Sequence, residues 1–572
     1  MRIPSWEDWL DSPAVDAASK EELRALTGAK EREDRFYRFL AFGTGGLRGK
    51  MGAGNNRMNL YTVRKATAGL ASYLNGEGAH AVCIGYDTRN HSQAFAHAAA
   101  EVLAAAGIRV YLFRGVRPTP MLSWAVRFHQ ADAGIVLTAS HNPKEYNGYK
   151  VYGPDGGQIT DRAAACILKR MEEQELFQVP FLPLEQALQE GRVLWMGEET
   201  DAPYFEQVKG LVLRRELLAK KAGTLRILYS PLHGAGSLPV RRVLKELGFT
   251  QTAVVPEQEQ PDGDFPTAPR PNPENREVFA LAVERARDFR PDLIFATDPD
   301  CDRIGVLSQD ENGDYVVLTG NQTGALLTDY LLHTRKELGM LPENAAVVKT
   351  IVTTPMANRI CAAYGVTVFD VLTGFKYIGE LAEGWQKTGE YRFLFGFEES
   401  YGYLSGDFVR DKDAVIASAL IAEMALWYKE QGLTLYQALE KLFRQYGYFQ
   451  EKLLSVERPG REGQEEIRQM LSALRAGYPE LLKEKPPAAV EDYRQSVRTD
   501  CRTGERTPLG LPESDVLKFF FEDGGWLVLR PSGTEPKVKL YLSAVGTSRE
   551  KAGQALAELE RLAAGLLRQK GC

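Results

Sequence analysis

Cysteine is scarce and scattered in this chain. Six residues, Cys83, Cys166, Cys301, Cys361, Cys501 and Cys572, lie far apart among 572 and form no CxxC pair. That argues against a zinc site and against a disulfide framework, and leaves reduced thiols as the expectation. A signal-peptide core is missing as well. The start, MRIPSWEDWLDSPAVDAASKEE, mixes charged with apolar residues, and no later run is long enough to span a bilayer. A cytoplasmic protein with no membrane partner is therefore expected. Surplus positive charge is also lacking: a net charge of −6 argues against nucleic acid as a general partner, so an anionic ligand must find local cations. Nor is there a long polar tract; with 44% hydrophobic and 26% charged residues the whole chain should fold.

What is present is a recurring local pattern. Four times a short apolar run rich in β-formers leads into a polar loop: AGIVL before TASHNP (138–143), DLIFAT before DPDCDR (298–303), YRFLFG before FEES (397–400), and WLVL before RPSGTEPK (530–537). Helical patterns lie between, at Thr62 to Leu74, Ser92 to Ala106, Leu238 to Leu247 and Val278 to Asp288. Strands alternating with helices predict parallel α/β domains, in which ligands gather beyond the carboxyl ends of strands. The length exceeds one hydrophobic core and suits roughly four domains at about 150 residues each. Strand-like starts at TLRILYS, AAVVKTIV and YFQEKLLSVE place cuts near 205, 317 and 446, giving segments 1–205, 206–317, 318–446 and 447–572, with one polar loop in each. The proline-rich stretch 256–273 reads equally as a linker or a long ordered loop, and no cut is placed there.

Each loop brings its own chemistry. Ser140 and His141 follow the first strand, and Asn142-Pro143 stops regular structure, which exposes a hydroxyl. Adjacent residues rarely supply an in-line base, so a serine-protease triad is not implied, and alone this is turn chemistry. Asp298, Asp300 and Asp302 alternate, so an extended backbone would put three carboxylates on one side. Two like charges 4 Å apart repel by about 4 kcal/mol at an effective dielectric near 20, and a bound cation relieves this. Oxygen-only ligands select a hard ion such as Mg²⁺, with phosphate or water completing its shell; the plain reading is an exposed acidic turn. Arg530, Ser532, Thr534 and Lys537 surround Gly533 in a phosphate cradle by composition, without P-loop spacing. Glu398 and Ser400 suit sugar hydroxyls. A glycosidase also pairs carboxylates, but it needs neither the cradle nor the aspartate triplet.

Taken together, these loops resemble the α-D-phosphohexomutase superfamily, and within it the phosphoglucomutase branch that also includes phosphopentomutases. The order of a serine loop, a metal loop, a sugar loop and a phosphate loop matches across nearly the whole chain. The resemblance implies three similarly wound α/β domains and a smaller C-terminal α+β domain of TATA-binding-protein-like shape around a central cleft. It implies that Ser140 carries a phosphoryl group and joins Asp298, Asp300 and Asp302 in holding Mg²⁺. Further positions match one by one: Arg48 in GTGGLRG, His141 and Lys150 near the serine, and Arg303 after the metal loop. Lys349 in VVKT, Thr373 and Gly374 in LTGFK, Glu398, Ser400 and Lys412 in RDKD would orient sugar and phosphate. Two features depart from the family pattern. Residues 1–40 form a leader without a motif, and Phe397 separates Gly396 from Glu398.

The implied reaction interconverts glucose 1-phosphate and glucose 6-phosphate through a phosphoserine and glucose 1,6-bisphosphate, with pentose or mannose phosphates as alternative substrates and a monomer favoured. Arg48 would neutralise charge, Arg530, Ser532, Gly533, Thr534 and Lys537 would hold the distal phosphate, and Lys150 or His141 would move the proton. The rivals are a synthase releasing the bisphosphate, a phosphatase with an aspartate nucleophile, and a silent binding protein. Intact mass and peptide mapping of the purified chain should locate one phosphate on the peptide carrying Ser140; phosphate on Asp298 would favour the phosphatase.

Overall fold

The computed structural model describes residues 2–43, 45–458, 460–531 and 537–568. The chain folds into two compact units, Met1–Thr323 with Phe375–Leu435, and Gly324–Gly374 with Tyr436–Cys572.

In the first unit the run AGIVL forms the strand Ala133–Leu137, with all five residues buried. Such a continuous apolar run is what a strand covered on both faces requires. It pairs in parallel with Ala81–Tyr86, followed outward by Arg109–Phe113 and Val193–Met196. On its other side the direction reverses, through Tyr146–Tyr152 and Gly46–Lys50 to Phe42–Gly43, all antiparallel. Helices Leu60–Gly76 and Ser92–Ala105 insert Val63, Leu70, Phe95 and Leu103 into one core with Val82, Ile84, Ile135 and Leu137. A second sheet repeats the scheme: Leu293–Thr297 is parallel to Ile227–Ser230 and antiparallel to Ile304–Gln309. The hairpin Arg392–Glu398 with Gly402–Ser405 completes the set.

The sheets are thus mixed, where the sequence pattern suggested parallel ones. The first three polar loops turn straight back into an antiparallel neighbour, because so few residues cannot make the crossover of a dozen or more that a parallel partner needs. Two of the expected helices lengthen or shift slightly, to Leu60–Gly76 and Ser237–Glu246, while Ser92–Ala105 is nearly as expected; the fourth is Ala280–Phe289 after one turn of tighter helix.

The motif-free leader has a packing role. Its helices Trp6–Asp11, Ala17–Arg24 and Ala29–Phe36 enclose Trp9, which is fully buried with Leu23, Tyr61 and Leu176. The Trp9 indole donates to Asn55 Oδ1 at 2.8 Å. Among the described residues no helix is long and apolar enough to cross a membrane. Five cysteines, Cys83, Cys166, Cys301, Cys361 and Cys501, form no disulfide, and Cys572 lies outside the described residues.

The second unit holds the parallel pair Ala345–Thr350 and Thr367–Val371 and a seven-stranded antiparallel C-terminal sheet, the expected α+β element. Helix Arg549–Arg568 covers that sheet through Leu559, Ala563 and Leu566. Here Lys518 is buried and donates to the Ile351 carbonyl at 2.6 Å. Burial, with the nearby charge of Lys349, pulls its pKa down to about 8. The folded chain therefore binds fewer protons than the unfolded chain between about pH 8 and the ordinary lysine value of 10.5. Stability from this residue should rise as pH rises through that window. Denaturant titrations at pH 7.5 and pH 10 should show the native chain gaining stability relative to Lys518→Met at the higher pH; a constant difference would refute the assignment.

Candidate active site

Ser140 sits where the strand Ala133–Leu137 has just ended, in a left-handed conformation with φ 52°. Only a tightly held loop keeps a serine there. Its N–H donates to Thr138 Oγ1 at 2.8 Å, and the Thr138 hydroxyl donates to Asp87 Oδ2 at 2.6 Å. The buried guanidinium of Arg89 donates to the carbonyls of Ser140 (2.6 Å), Pro143 (2.9 Å) and Tyr146 (3.0 Å) and also to that of Asn142. Asp87 and Arg89 leave the adjacent strand Ala81–Tyr86, so the sheet itself fixes the loop.

The aspartate loop is the connection between Leu293–Thr297 and Ile304–Gln309. The carboxylates converge, but not by simple alternation along an extended chain. Cys301 adopts φ 51°, its N–H bonds back to the Asp298 carbonyl at 2.9 Å, and Asp298 Oδ1 accepts the N–H groups of Asp302 and Arg303 at 3.1 Å each. The chain curls because one carboxylate caps its own loop. Asp298, Asp300 and Asp302 are at most 1% exposed, and one oxygen from each lies within 4.8 Å of the others. The Ser140 hydroxyl donates to Asp298 Oδ2 at 2.8 Å.

Cations from other segments face this trio. Lys150 Nζ lies 2.8 Å from Asp300 Oδ2 and 3.5 Å from Asp302 Oδ2, and Lys412 Nζ lies 3.2 Å from the same Asp302 oxygen. Thr119 donates to Asp300 Oδ2 at 3.0 Å. The repulsion expected from the sequence is thus partly offset by the protein's own ammonium groups, so charge alone does not demand a metal. The polar atoms left over make the stronger argument: Asp300 Oδ1 and Asp302 Oδ1 are buried without a hydrogen-bond partner. Buried acceptors of that kind are rare, and together with Asp298 they offer the hard, all-oxygen donor set that suits a divalent cation.

The electrostatics sort the nearby groups into charged and neutral. Burial alone would lower Lys150 and Lys412, yet Asp300 and Asp302 hold the first charged, and Asp302 and Asp411 the second. Burial, reinforced by Arg303 and Arg48, drives His141 well below the usual histidine range, so its ring is neutral. Its Nδ1 is 3.2 Å from Ser140 Oγ. Within the trio, burial and the Asp300 and Asp302 charges raise Asp298, and burial with Asp300 raises Asp302. Lys150 overcomes burial to hold Asp300 low.

Of the residues singled out in the sequence, the structure groups Ser140, His141, Lys150, Asp298, Asp300, Asp302, Arg303 and Lys412. Arg48 reaches the serine loop through Asn142 Oδ1 at 3.3 Å. Arg303 pairs with Glu274 at 3.1 Å. Glu398 ends its strand opposite Gly402, and Ser400 follows in the turn. Gly402 is there because a Cβ would lie 2.2 Å from Lys412 Cδ and 3.0 Å from Glu398 Oε1. Lys349, Thr373, Gly374, Arg530 and Lys537 belong to the other unit. In it, Lys349 pairs with Asp370 at 2.7 Å and Lys537 with Glu457 at 2.9 Å. Ser532, Gly533 and Thr534 lie outside the described residues. Sequence reasoning missed Asp87, Arg89, Thr119 and Asp411. The run AVCIGY before DTR was a further strand followed by polar residues and could have flagged the first two.

Four family models match the chain in order. They are described as phosphoglucomutase/phosphomannomutase alpha/beta/alpha domain I at residues 40–177, domain II at 202–313, domain III at 319–446, and C-terminal domain at 478–561. The chain is similar to the phosphoglucomutase of Staphylococcus haemolyticus, 38% identical over 513 residues, covering 90% of this chain and 91% of that one. With the phosphoglucomutase of Staphylococcus epidermidis it shares 37% over 545 residues, covering 94% and 96%. Solved structures of similar fold include a phosphoglucomutase/phosphomannomutase family protein from Burkholderia thailandensis, with TM-score 0.65 and 19% identity over 93% of this chain and 98% of that one. Parafusin from Paramecium, in an open form, has TM-score 0.67 and 16% identity over 93% and 96%.

Lys150→Met removes the partner of two buried carboxylates. Denaturant unfolding in metal-free buffer should show a loss of about 3–5 kcal/mol, as for a broken buried ion pair. A loss under about 0.5 kcal/mol would mean that Lys150 does not compensate the trio.

Proposed function

The chain belongs to the phosphoglucomutase/phosphomannomutase family of α-D-phosphohexomutases, and from that premise we propose that it interconverts glucose 1-phosphate and glucose 6-phosphate through a phosphorylated Ser140. It is a phosphosugar mutase, an isomerase. The observation that carries the Ser140 assignment is the 2.8 Å contact between its hydroxyl and the buried aspartate trio. In this reading Ser140, Asp298, Asp300 and Asp302 hold Mg²⁺, and glucose 1,6-bisphosphate is both intermediate and activator. When bound, Mg²⁺ supplies charge neutralisation at the transferring phosphoryl group. The four domains are bounded near 205, 317 and 446, and the enzyme works as a cytoplasmic monomer.

The residues divide the work. In the forward half reaction the bond from Ser140 Oγ to phosphorus breaks, one to a sugar hydroxyl forms, and the proton lost by that hydroxyl balances the one Ser140 gains. His141, neutral beside Ser140 Oγ, is the group suited to carry that proton. Lys150, kept as an ammonium, and Arg48 offset charge on the phosphoryl oxygens. Arg303, Glu398, Ser400 and Lys412 face the sugar, joined by Lys349, Thr373 and Gly374. Arg530, Ser532, Gly533, Thr534 and Lys537 grip the phosphate that is not being transferred. Returning the other phosphate to Ser140 reverses the same bond changes.

Purified protein with Mg²⁺ and a trace of glucose 1,6-bisphosphate should isomerise glucose 1-phosphate faster than mannose or ribose 1-phosphate. Ser140→Ala should lose at least about 10⁴-fold in kcat, as expected when the nucleophile is removed. Chelation should abolish turnover and Mg²⁺ restore it. Faster turnover of ribose 1-phosphate would reassign the substrate, and full activity in Ser140→Ala would overturn the nucleophile.

A further inference from the structure

We propose that the proline-rich segment 256–274 is a strap that holds the Ser140 loop in register with the aspartate loop, and that Phe265 is its positioning residue, acting through Arg89. The catalytic consequence of this role rests on the mutase reading above.

The strap is fastened at its root by His233. The His233 N–H donates to the Gln258 carbonyl at 2.9 Å and its carbonyl accepts from Asp262 N–H at 3.2 Å. Its ring reaches the Gln260 carbonyl through Nδ1 at 3.2 Å and the Thr267 hydroxyl through Nε2 at 2.9 Å. A carbonyl can only accept, so Nδ1 carries the proton and Nε2 receives the threonine hydroxyl. One side chain thereby closes the segment into an ordered loop. That answers the alternative left open by composition: the prolines belong to a structured connection, not to a free linker.

From this root the strap reaches both reactive loops. Phe265 is fully buried at φ 46°, a conformation an aromatic residue rarely adopts, with the Arg89 guanidinium carbon 5.1 Å from its ring centroid. Arg89 is the residue whose guanidinium bonds four carbonyls of the serine loop. A cation over an aromatic face is held in place without using up its donors. Beside Phe265, Asp264 Oδ1 accepts from Lys144 at 3.2 Å and from Asn90 at 3.3 Å. A Cβ on Gly263 would lie 2.4 Å from the Asn90 nitrogen, so the backbones meet there directly. At the other end Glu274 accepts from Arg303 at 3.1 Å, and a Cβ on Gly305 would lie 2.7 Å from the Pro273 carbonyl. The segment thus touches the loop that bears Ser140 and the loop that bears the aspartates. A misplacement of about 1 Å between reacting groups costs about 100-fold in rate, which gives such a strap catalytic weight.

The test compares Phe265→Leu with Phe249→Leu, an equally buried phenylalanine of the same domain that lies just after the helix Ser237–Glu246 and outside the strap segment. Amide exchange across residues 138–146 should accelerate about 10-fold in Phe265→Leu and stay unchanged in Phe249→Leu. Equal exchange in the two variants would overturn the strap, whatever the enzyme's activity. With glucose 1-phosphate, Phe265→Leu should lose about 10-fold in kcat with KM within about twofold. An unchanged kcat, or a change confined to KM, would overturn the positioning role. In an Arg89→Lys background the Phe265→Leu effect should shrink to about twofold, since the two act as one unit; full additivity would show that Phe265 does not act through Arg89. A native chain inactive on every sugar phosphate would instead refute the mutase reading, while the exchange comparison would still decide the strap.

Discussion

Three carboxylates packed within 4.8 Å of one another and shut away from water set the terms for the first unit. Such a cluster is costly unless every charge and lone pair is answered. The protein's own answers come from separate stretches of chain and leave Asp300 Oδ1 and Asp302 Oδ1 without a hydrogen-bond partner among the described residues. Lys150 and Thr119 come from the segment that bears Ser140, and Lys412 comes from the segment that bears Glu398 and Ser400. Backbone bonds follow the same lines: Thr119 N–H to the Asp300 carbonyl at 2.9 Å, Ala414 N–H to Cys301 at 3.3 Å, and Ile304 N–H to Tyr401 at 3.1 Å. The aspartate loop is therefore a structural hub as well as a candidate ligand set, and its Asp298 carboxylate meets the Ser140 hydroxyl.

The same crowding separates protonation states that phosphoryl transfer needs kept apart. Burial keeps the His141 ring neutral, while Lys150 and Lys412 stay cationic only because carboxylates surround them. In the proposed mechanism, proton transfer and charge compensation fall to different side chains a few ångströms apart. This is how one buried site can offer a base and two cations without their exchanging roles.

Much of this was legible before the fold was known, because the informative residues sit in short loops directly after apolar strands. Ser140, Asp298, Asp300, Asp302 and Arg303 could be picked out in this way, and the structure gathers them. The curl at Cys301 could not, since a left-handed cysteine has no sequence signal and alternation suggested an extended strand instead. Nor could the ammonium groups beside the trio, whose partners lie some 110 to 150 residues away in the chain and meet them only where separate sheets and loops pack together. Parallel sheets were expected because helices separate most strands, but the reactive loops belong to the exceptions that turn straight back. The leader carries no motif because its work is packing, through Trp9. Phe397, which separates Gly396 from Glu398, is a strand residue with its side chain fully buried, and Glu398 follows at the strand's last position.

The central claim is that the Ser140 oxygen and the three aspartates share one divalent cation. Its most direct test is electron–nuclear double resonance on the phosphorylated enzyme loaded with Mn²⁺ in place of Mg²⁺. The account predicts a strong phosphorus coupling to the bound ion that disappears when Ser140 is dephosphorylated, and loss of the bound-ion signal in Asp300→Asn. Tightly bound Mn²⁺ with no phosphorus coupling in the fully phosphorylated enzyme would contradict it.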